Sequence, residues 1–114
     1  MIVKNKIFMD FLAKVSEYPD WVGIGEINEF SINNYGESVL HLAACQGRVD
    51  IIERLIDDGV DINKKGEHGY TPLHEAIEQG NYLAALYLIK RGADLMVKND
   101  FGMSPLDILD LSQD

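Results

Sequence analysis

The residues with chemistry in them come in pairs. His41 and Cys45 stand four positions apart, and so do His74 and Glu78. On a helix that spacing brings two side chains together. The first pair has the types of a thiol nucleophile and its base; the second offers two metal ligands. Neither set is complete. A Cys–His nucleophile needs a depressed thiol pKa and a third group to orient the base, and nothing in the sequence stands out for that role. A metal site needs further ligands, and His68, although close in sequence, lies in a loop. "GIGEIN" (23–28) lacks the later glycine and the lysine of a phosphate loop. The many carboxylates fall at solvated helix positions or in loops, and no two are singled out as acid and base. The sequence reads as non-catalytic, with no metal and no cofactor.

The elements that hold these residues repeat. Gly36, Gly69 and Gly102 recur at a step of 33, as do Leu40, Leu73 and Leu106. Gly47 and Gly80, Gly59 and Gly92, and Asp61 and Asp94 keep the same step. A fixed period of this length marks stacked supersecondary units. In "GYTPLHEAIEQG" (69–80), Gly69 suits a tight turn, Thr71 can cap a helix and Pro72 fits its first position. Leu73, Ala76 and Ile77 form an inward stripe, and Gly80 closes the helix in a left-handed conformation. A second helix follows over Tyr82–Lys90. "GADLMVKNDFG" (92–102) then crosses to the next unit as an extended loop or hairpin.

"GYTPLHEAIEQGNYLAALYLIKRGADLMVKN" resembles an ankyrin repeat, as does "GESVLHLAACQGRVDIIERLIDDGVDINKKG". The T-P-L-H run, the glycine after the first helix and the closing G-A-D or G-V-D carry the resemblance, which covers Asn33 to about Leu111. Val39 replaces the proline in the first clear repeat, and Ser38 and Ser104 replace threonine. The resemblance implies an all-α solenoid of helix-turn-helix units with hairpin loops, about three and a half repeats including divergent caps. One domain, 1–114, divides into a divergent N-terminal cap (1–32), repeats at 33–65 and 66–98, and a truncated C-terminal cap (99–114). In the cap, Ile7, Phe8, Phe11, Leu12 and Val15 have helical spacing over Lys4–Glu17. Pro19 breaks that pattern, and "DWVGIGEINEFSI" (20–32) reads as extended. The resemblance also makes His41 and His74 framework residues that hydrogen-bond in the turn region.

The chain has 114 residues and an apolar fraction of 46%, which excludes general disorder. Nineteen acidic against 10 basic residues give a formal charge of −9, which repels nucleic acid and anionic membranes and attracts cationic partners. Cys45 is the only cysteine, as suits a reducing compartment. The longest apolar run, Tyr82 to Ile89, is too short to span a bilayer, and Asp10 and Lys14 interrupt any N-terminal signal core. The location expected is cytoplasmic.

Ankyrin repeats bind proteins, so the resemblance implies a concave face made of loop tips and first helices. Carried over by position, the contact residues are Asn34, Tyr35, Glu37, Cys45 and Gln46 in the first clear repeat. In the second they are Glu67, His68, Tyr70, Glu78 and Gln79, and in the last Asp100, Phe101 and Met103. This set is aromatic and acidic and suits a basic protein partner. Small proteins resembling this one in bacteria serve as immunity proteins, so an inhibitor that neutralises a basic toxin or enzyme is the function expected. A general scaffold or regulatory adaptor for an endogenous protein is the alternative. Leu83 and Leu86 stand where the preceding repeat has Asp50 and Glu53, on the convex side. With the C-terminal helix (Leu106, Leu109, Leu111) they suggest a weak homodimer.

Overall fold

Three hydroxyl residues start three helices. Ser38 Oγ accepts the His41 N–H at 3.3 Å, Thr71 Oγ1 accepts the His74 N–H at 3.3 Å, and Ser104 Oγ accepts the Asp107 N–H at 3.1 Å. The computed structural model describes residues 2–111. Its helices are α1 (Ile2–Val15), α2 (Val39–Gln46), α3 (Val49–Asp57), α4 (Pro72–Glu78), α5 (Tyr82–Lys90) and α6 (Pro105–Leu111). The three caps launch α2, α4 and α6. Gly47, at φ 71°, and Gly80, at φ 74°, turn the chain out of α2 and α4 in the left-handed region, as their spacing predicts.

The helices form two layers. The inner layer stacks α2 on α4 and α4 on α6; the outer layer stacks α1 on α3 and α3 on α5. The core lies between them. Leu40, Ala43, Ile52, Leu55, Leu73, Ala76 and Leu88 are at most 1% exposed. A fully buried aliphatic side chain contributes about 1.5–3 kcal/mol. The alanines let α2 and α4 approach closely. This is the helix-turn-helix solenoid expected from the repeat.

Each inner helix is preceded by a tight tip. Asn33 N–H donates to Glu37 O (2.9 Å), Gly66 N–H to Tyr70 O (2.7 Å) and Asn99 N–H to Met103 O (2.9 Å), one repeat apart. In the outer tips an asparagine side chain finishes the closure: Asn33 Oδ1 accepts from the Tyr35 and Glu37 N–H groups, and Asn99 Oδ1 from those of Phe101 and Met103. Gly66 has a different reason. A Cβ there would lie 3.0 Å from His41 Nε2 and 3.1 Å from Glu37 Cγ, so the first repeat's side chains occupy that space.

The N-terminal part departs from expectation in one respect. Residues 20–32 are not an extended segment. Pro19–Trp21 make a 3-10 turn that buries Trp21, and one isolated antiparallel bridge joins Ile32 to Ser38. Pro19, and Gly23 and Gly25 at positive φ, interrupt any strand. The repeat nonetheless reaches back into this segment. Asn28 Oδ1 accepts the Phe30 N–H just as Asp61 Oδ1 accepts that of Asn63 and Asp94 Oδ1 that of Met96. Helix α1 joins the outer layer, packing Phe8, Phe11, Leu12 and Val15 inward. The Arg54 and Arg48 guanidinium groups cover the Phe8 and Phe11 rings at 4.3 and 5.8 Å.

Candidate protein-interaction face

His41 and His74 are structural and neutral. His41 Nδ1 accepts the Ser38 N–H (3.1 Å) and faces its hydroxyl (2.9 Å), so Nε2 carries the proton and donates to Tyr70 O (2.8 Å) in the next repeat. His74 repeats the arrangement with Thr71 (3.0 and 2.8 Å) and with Met103 O (2.9 Å). Each imidazole thus closes its own cap and bolts the following tip to it. Asp107 stands in the same register and accepts the Ser104 N–H at 2.9 Å. Burial holds both imidazoles below their ordinary pKa, His41 at about 4. Burial and the Glu75, Glu37 and Glu78 carboxylates push the Cys45 thiol up. His41 and Cys45 therefore lack the features of an activated pair. His74 is likewise committed, and Glu78 accepts the Tyr70 hydroxyl at 2.7 Å, pushing that phenol up to about 12. Among the described residues no three His, Cys, Asp or Glu side chains converge as a metal site.

The candidate contact residues line up in columns. Asn34, Glu67 and Asp100 form one; Tyr35, His68 and Phe101 a second; Glu37, Tyr70 and Met103 a third. Cys45 pairs with Glu78, and Gln46 with Gln79, at the ends of α2 and α4. The first two columns are exposed at the tips. Asp100 N–H donates to His68 O (2.9 Å), and the His68 and Phe101 rings lie 5.5 Å apart. His68 takes a left-handed φ of 57° to complete its tip. The third column is half-buried and continues onto the helices through Tyr70 and Glu78. Gln46 is tethered by donating to the Tyr18 hydroxyl at 3.1 Å.

Sequence reasoning missed the centre of this face. The Tyr18–Trp21 segment folds across α2 and borders an open-mouthed cavity of about 240 Å³, lined by Tyr18, Pro19, Asp20, Trp21, Glu37, Ser38, His41, Leu42, Cys45 and Glu75. Burial, and then the Glu37, Glu78 and Glu67 charges, raise the Glu75 pKa to about 7. Burial raises Glu37 too, with Glu67 and Asp20 adding to it and a hydrogen bond from Asn33 opposing it. Neutral His41 and His74 give these carboxylates no counter-charge. The signal for Glu75 was present in the repeat. Leu42, Glu75 and Ile108 share one register, and only the middle one is charged.

The outer layer offers two other features. A cleft of about 470 Å³ between α1 and α3 is lined by Lys4, Asn5, Ile7, Phe8, Asp50, Ile51, Glu53, Arg54 and Asp57. Several of its charges are paired: Arg54 with Asp58 at 3.0 Å, Asp57 with Arg91 at 2.8 Å and Asp50 with Arg48 at 2.9 Å. On α5, Leu83 and Leu86 are 79% and 64% exposed. Helix α6 packs on α4 and leaves them uncovered. Among the described residues no helix is long and apolar enough to cross a membrane.

A family model described as ankyrin repeats (3 copies) matches residues 8–99. Over 52 residues, 46% of the chain, it is 36% identical to the human protein phosphatase 1 regulatory subunit 12A. Over 46 residues, 39% of the chain, it is 46% identical to the NF-kappa-B inhibitor cactus of Drosophila yakuba. Over 37 residues, 32% of the chain, it is 40% identical to the potassium channel AKT1 of Arabidopsis thaliana. The matches span 5%, 9% and 4% of those three proteins.

Proposed function

The chain belongs to the ankyrin repeat family, a family of protein-interaction modules, and from that premise we propose that its inner-helix face binds and neutralises one basic protein partner. The observation that carries the proposal is electrostatic. Glu37 lies within electrostatic reach of Asp20 and Glu67, and Glu75 within reach of Glu37, Glu67 and Glu78, on one face beside an aromatic column, and His41 and His74 among them are neutral. Holding like charges together in a partly dehydrated place disfavours the isolated protein; a cationic partner relieves it. The partner class is a basic toxin or enzyme, met in the cytoplasm, which makes the protein an immunity or inhibitor protein. The relatives that are named an inhibitor and a regulatory subunit support a binding role of this kind. The contact set is Asn34, Tyr35, Glu37, Gln46, Glu67, His68, Tyr70, Glu78, Gln79, Asp100, Phe101 and Met103. Nucleic acid and membrane surfaces are not the targets, given the charge of −9.

Co-purification from the native cells, washed at low and at high salt, tests this reading. One basic protein near 1:1, released by salt, is the expected result. The double variant E67K/E78K should slow its association about tenfold or more at low salt, because steering by like-signed face charges is a rate effect. An on-rate unchanged by the double variant counts against the proposal. Several weak endogenous partners instead of one would make the protein a regulatory adaptor.

The exposed α5 leucines support a second, weaker contact. We propose that Leu83 and Leu86, with the C-terminal helix, form a low-affinity homodimer patch. Light scattering at high micromolar concentration should show mass above the monomer, returning to monomer in L83D/L86D. A monomeric mass for the unmodified chain at that concentration removes the dimer.

A further inference from the structure

The register of Leu42, Glu75 and Ile108 sets up a conflict within the fold. The neighbouring repeats place aliphatic side chains there, each half-buried. The middle repeat places a carboxylate there, also half-buried. Among the described residues it has no side-chain hydrogen bond and no ion pair, unlike Glu78, which holds Tyr70, or Asp107, which caps α6. Its oxygens still reach solvent, so only water serves them in the isolated protein, and a partly dehydrated carboxylate gains from donors that a partner supplies. Glu75 lines the cavity whose other walls include the Tyr18 and Trp21 residues, Leu42 and Cys45, with Asp20 and Glu37 among the lining. No Lys or Arg lines it. At about 240 Å³ it is smaller than the roughly 300–1,000 Å³ of sites that take whole small molecules, and suits one side chain.

We propose that this cavity is a socket for a single arginine side chain of the protein partner, its guanidinium placed between the Tyr18–Trp21 segment and the Glu75 and Glu37 carboxylates. Arginine fits better than lysine on three counts. Its guanidinium is planar, it is weakly hydrated and so tolerates an apolar-walled cleft, and it can bond two carboxylate oxygens while lying against an aromatic ring. The inference rests on reading the inner-helix face as the binding face, and gives that reading its anchor residue.

The protein carries its own reporters. Trp21 is the only tryptophan and Cys45 the only cysteine, and both line the cavity. The test titrates Nα-acetyl-arginine amide into the intact chain at pH 8 and low salt. It follows Trp21 fluorescence and the alkylation rate of Cys45 by an uncharged reagent, with the norleucine and lysine amides as controls. The expected result is a saturable change with a Kd on the order of 1 mM, Cys45 protected in parallel, and binding at least several-fold weaker in E75Q. The lysine amide should bind more weakly and the norleucine amide not at all. Binding should also weaken between pH 8 and pH 6 as Glu75 takes up a proton. The charged groups facing it are Asp20, Glu37, Glu67 and Glu78, while His41, held at about 4, and the Cys45 thiol, pushed up by burial, stay neutral in that range.

A flat titration to about 50 mM overturns the socket, as does an equal response to norleucine or an unchanged affinity in E75Q. Equal binding of the lysine amide overturns the arginine assignment. Denaturation curves for E75Q verify that the variant is folded when its affinity is read. The probe contains no partner protein, so the two ideas fail separately. Partner capture that is lost in E67K/E78K, alongside a flat arginine titration, removes the socket and leaves the binding face standing.

Discussion

Replacing His41 with alanine lowers the stability of the whole array by about 4 kcal/mol, and unfolding remains a single transition. The imidazole is 2% exposed and joins two repeats. Its loss leaves the Ser38 N–H without an acceptor and strips Tyr70 O of its 2.8 Å donor, leaving only the Gly66 N–H. An unmet buried polar group costs about 1–3 kcal/mol, and the emptied space adds a packing loss. The effect spreads because each repeat is stable only against its neighbours. The pH dependence separates the charge-linked part. The folded pKa of about 4 lies below the ordinary 6.5, so the neutral ring stabilises the fold fully above pH 6.5. That contribution falls away between pH 6.5 and about 4, by on the order of 3 kcal/mol. The gap between the unmodified chain and H41A, measured by urea denaturation, should therefore narrow across that window. A gap that stays constant with pH would show that His41 acts through packing alone.

The same residue shows what the sequence could disclose. The T-P-L-H resemblance implied a framework histidine that hydrogen-bonds in the turn region; that its Nε2 reaches a carbonyl of the next repeat came from the structure. Helix caps, closing glycines and tip columns were legible because each depends on residues a few positions apart, repeated in register. What escaped notice depends on contacts between segments that share no period. Tyr18–Trp21 folds over α2 because Trp21 finds cover there, and nothing local in "YPDWVGIG" dictates the direction. Glu75 was passed over because within a single repeat it looks like a solvated helix charge. The aliphatic Leu42 and Ile108 in its register give a first signal, and its burial beside the Tyr18–Trp21 segment marks it as out of place.

That misplacement leads to the second large effect: E75Q should be more stable than the unmodified chain at pH 8 and indistinguishable from it near pH 4.5. The folded pKa is about 7 against an ordinary 4.5, so the fold favours the protonated acid. Stability from that preference is fully present below pH 4.5 and lost as pH rises through 7. Above pH 7 the ionised group destabilises the fold, and a neutral amide of the same shape does not. Discounted for solvent screening of a half-buried group, the gain is about 2 kcal/mol at pH 8. The His41 contribution has the opposite sign but is common to both proteins, so it cancels in the difference. Urea denaturation of the pair at pH 8, 6 and 4.5 reads the effect directly. An E75Q protein that is less stable at pH 8, or a difference flat with pH, rejects the assignment. E75L should stabilise at pH 8 as well, because it completes the aliphatic column with Leu42 and Ile108. A substitution that strengthens the fold while weakening the arginine probe would show that the charge is held at that register for binding, against the interest of stability.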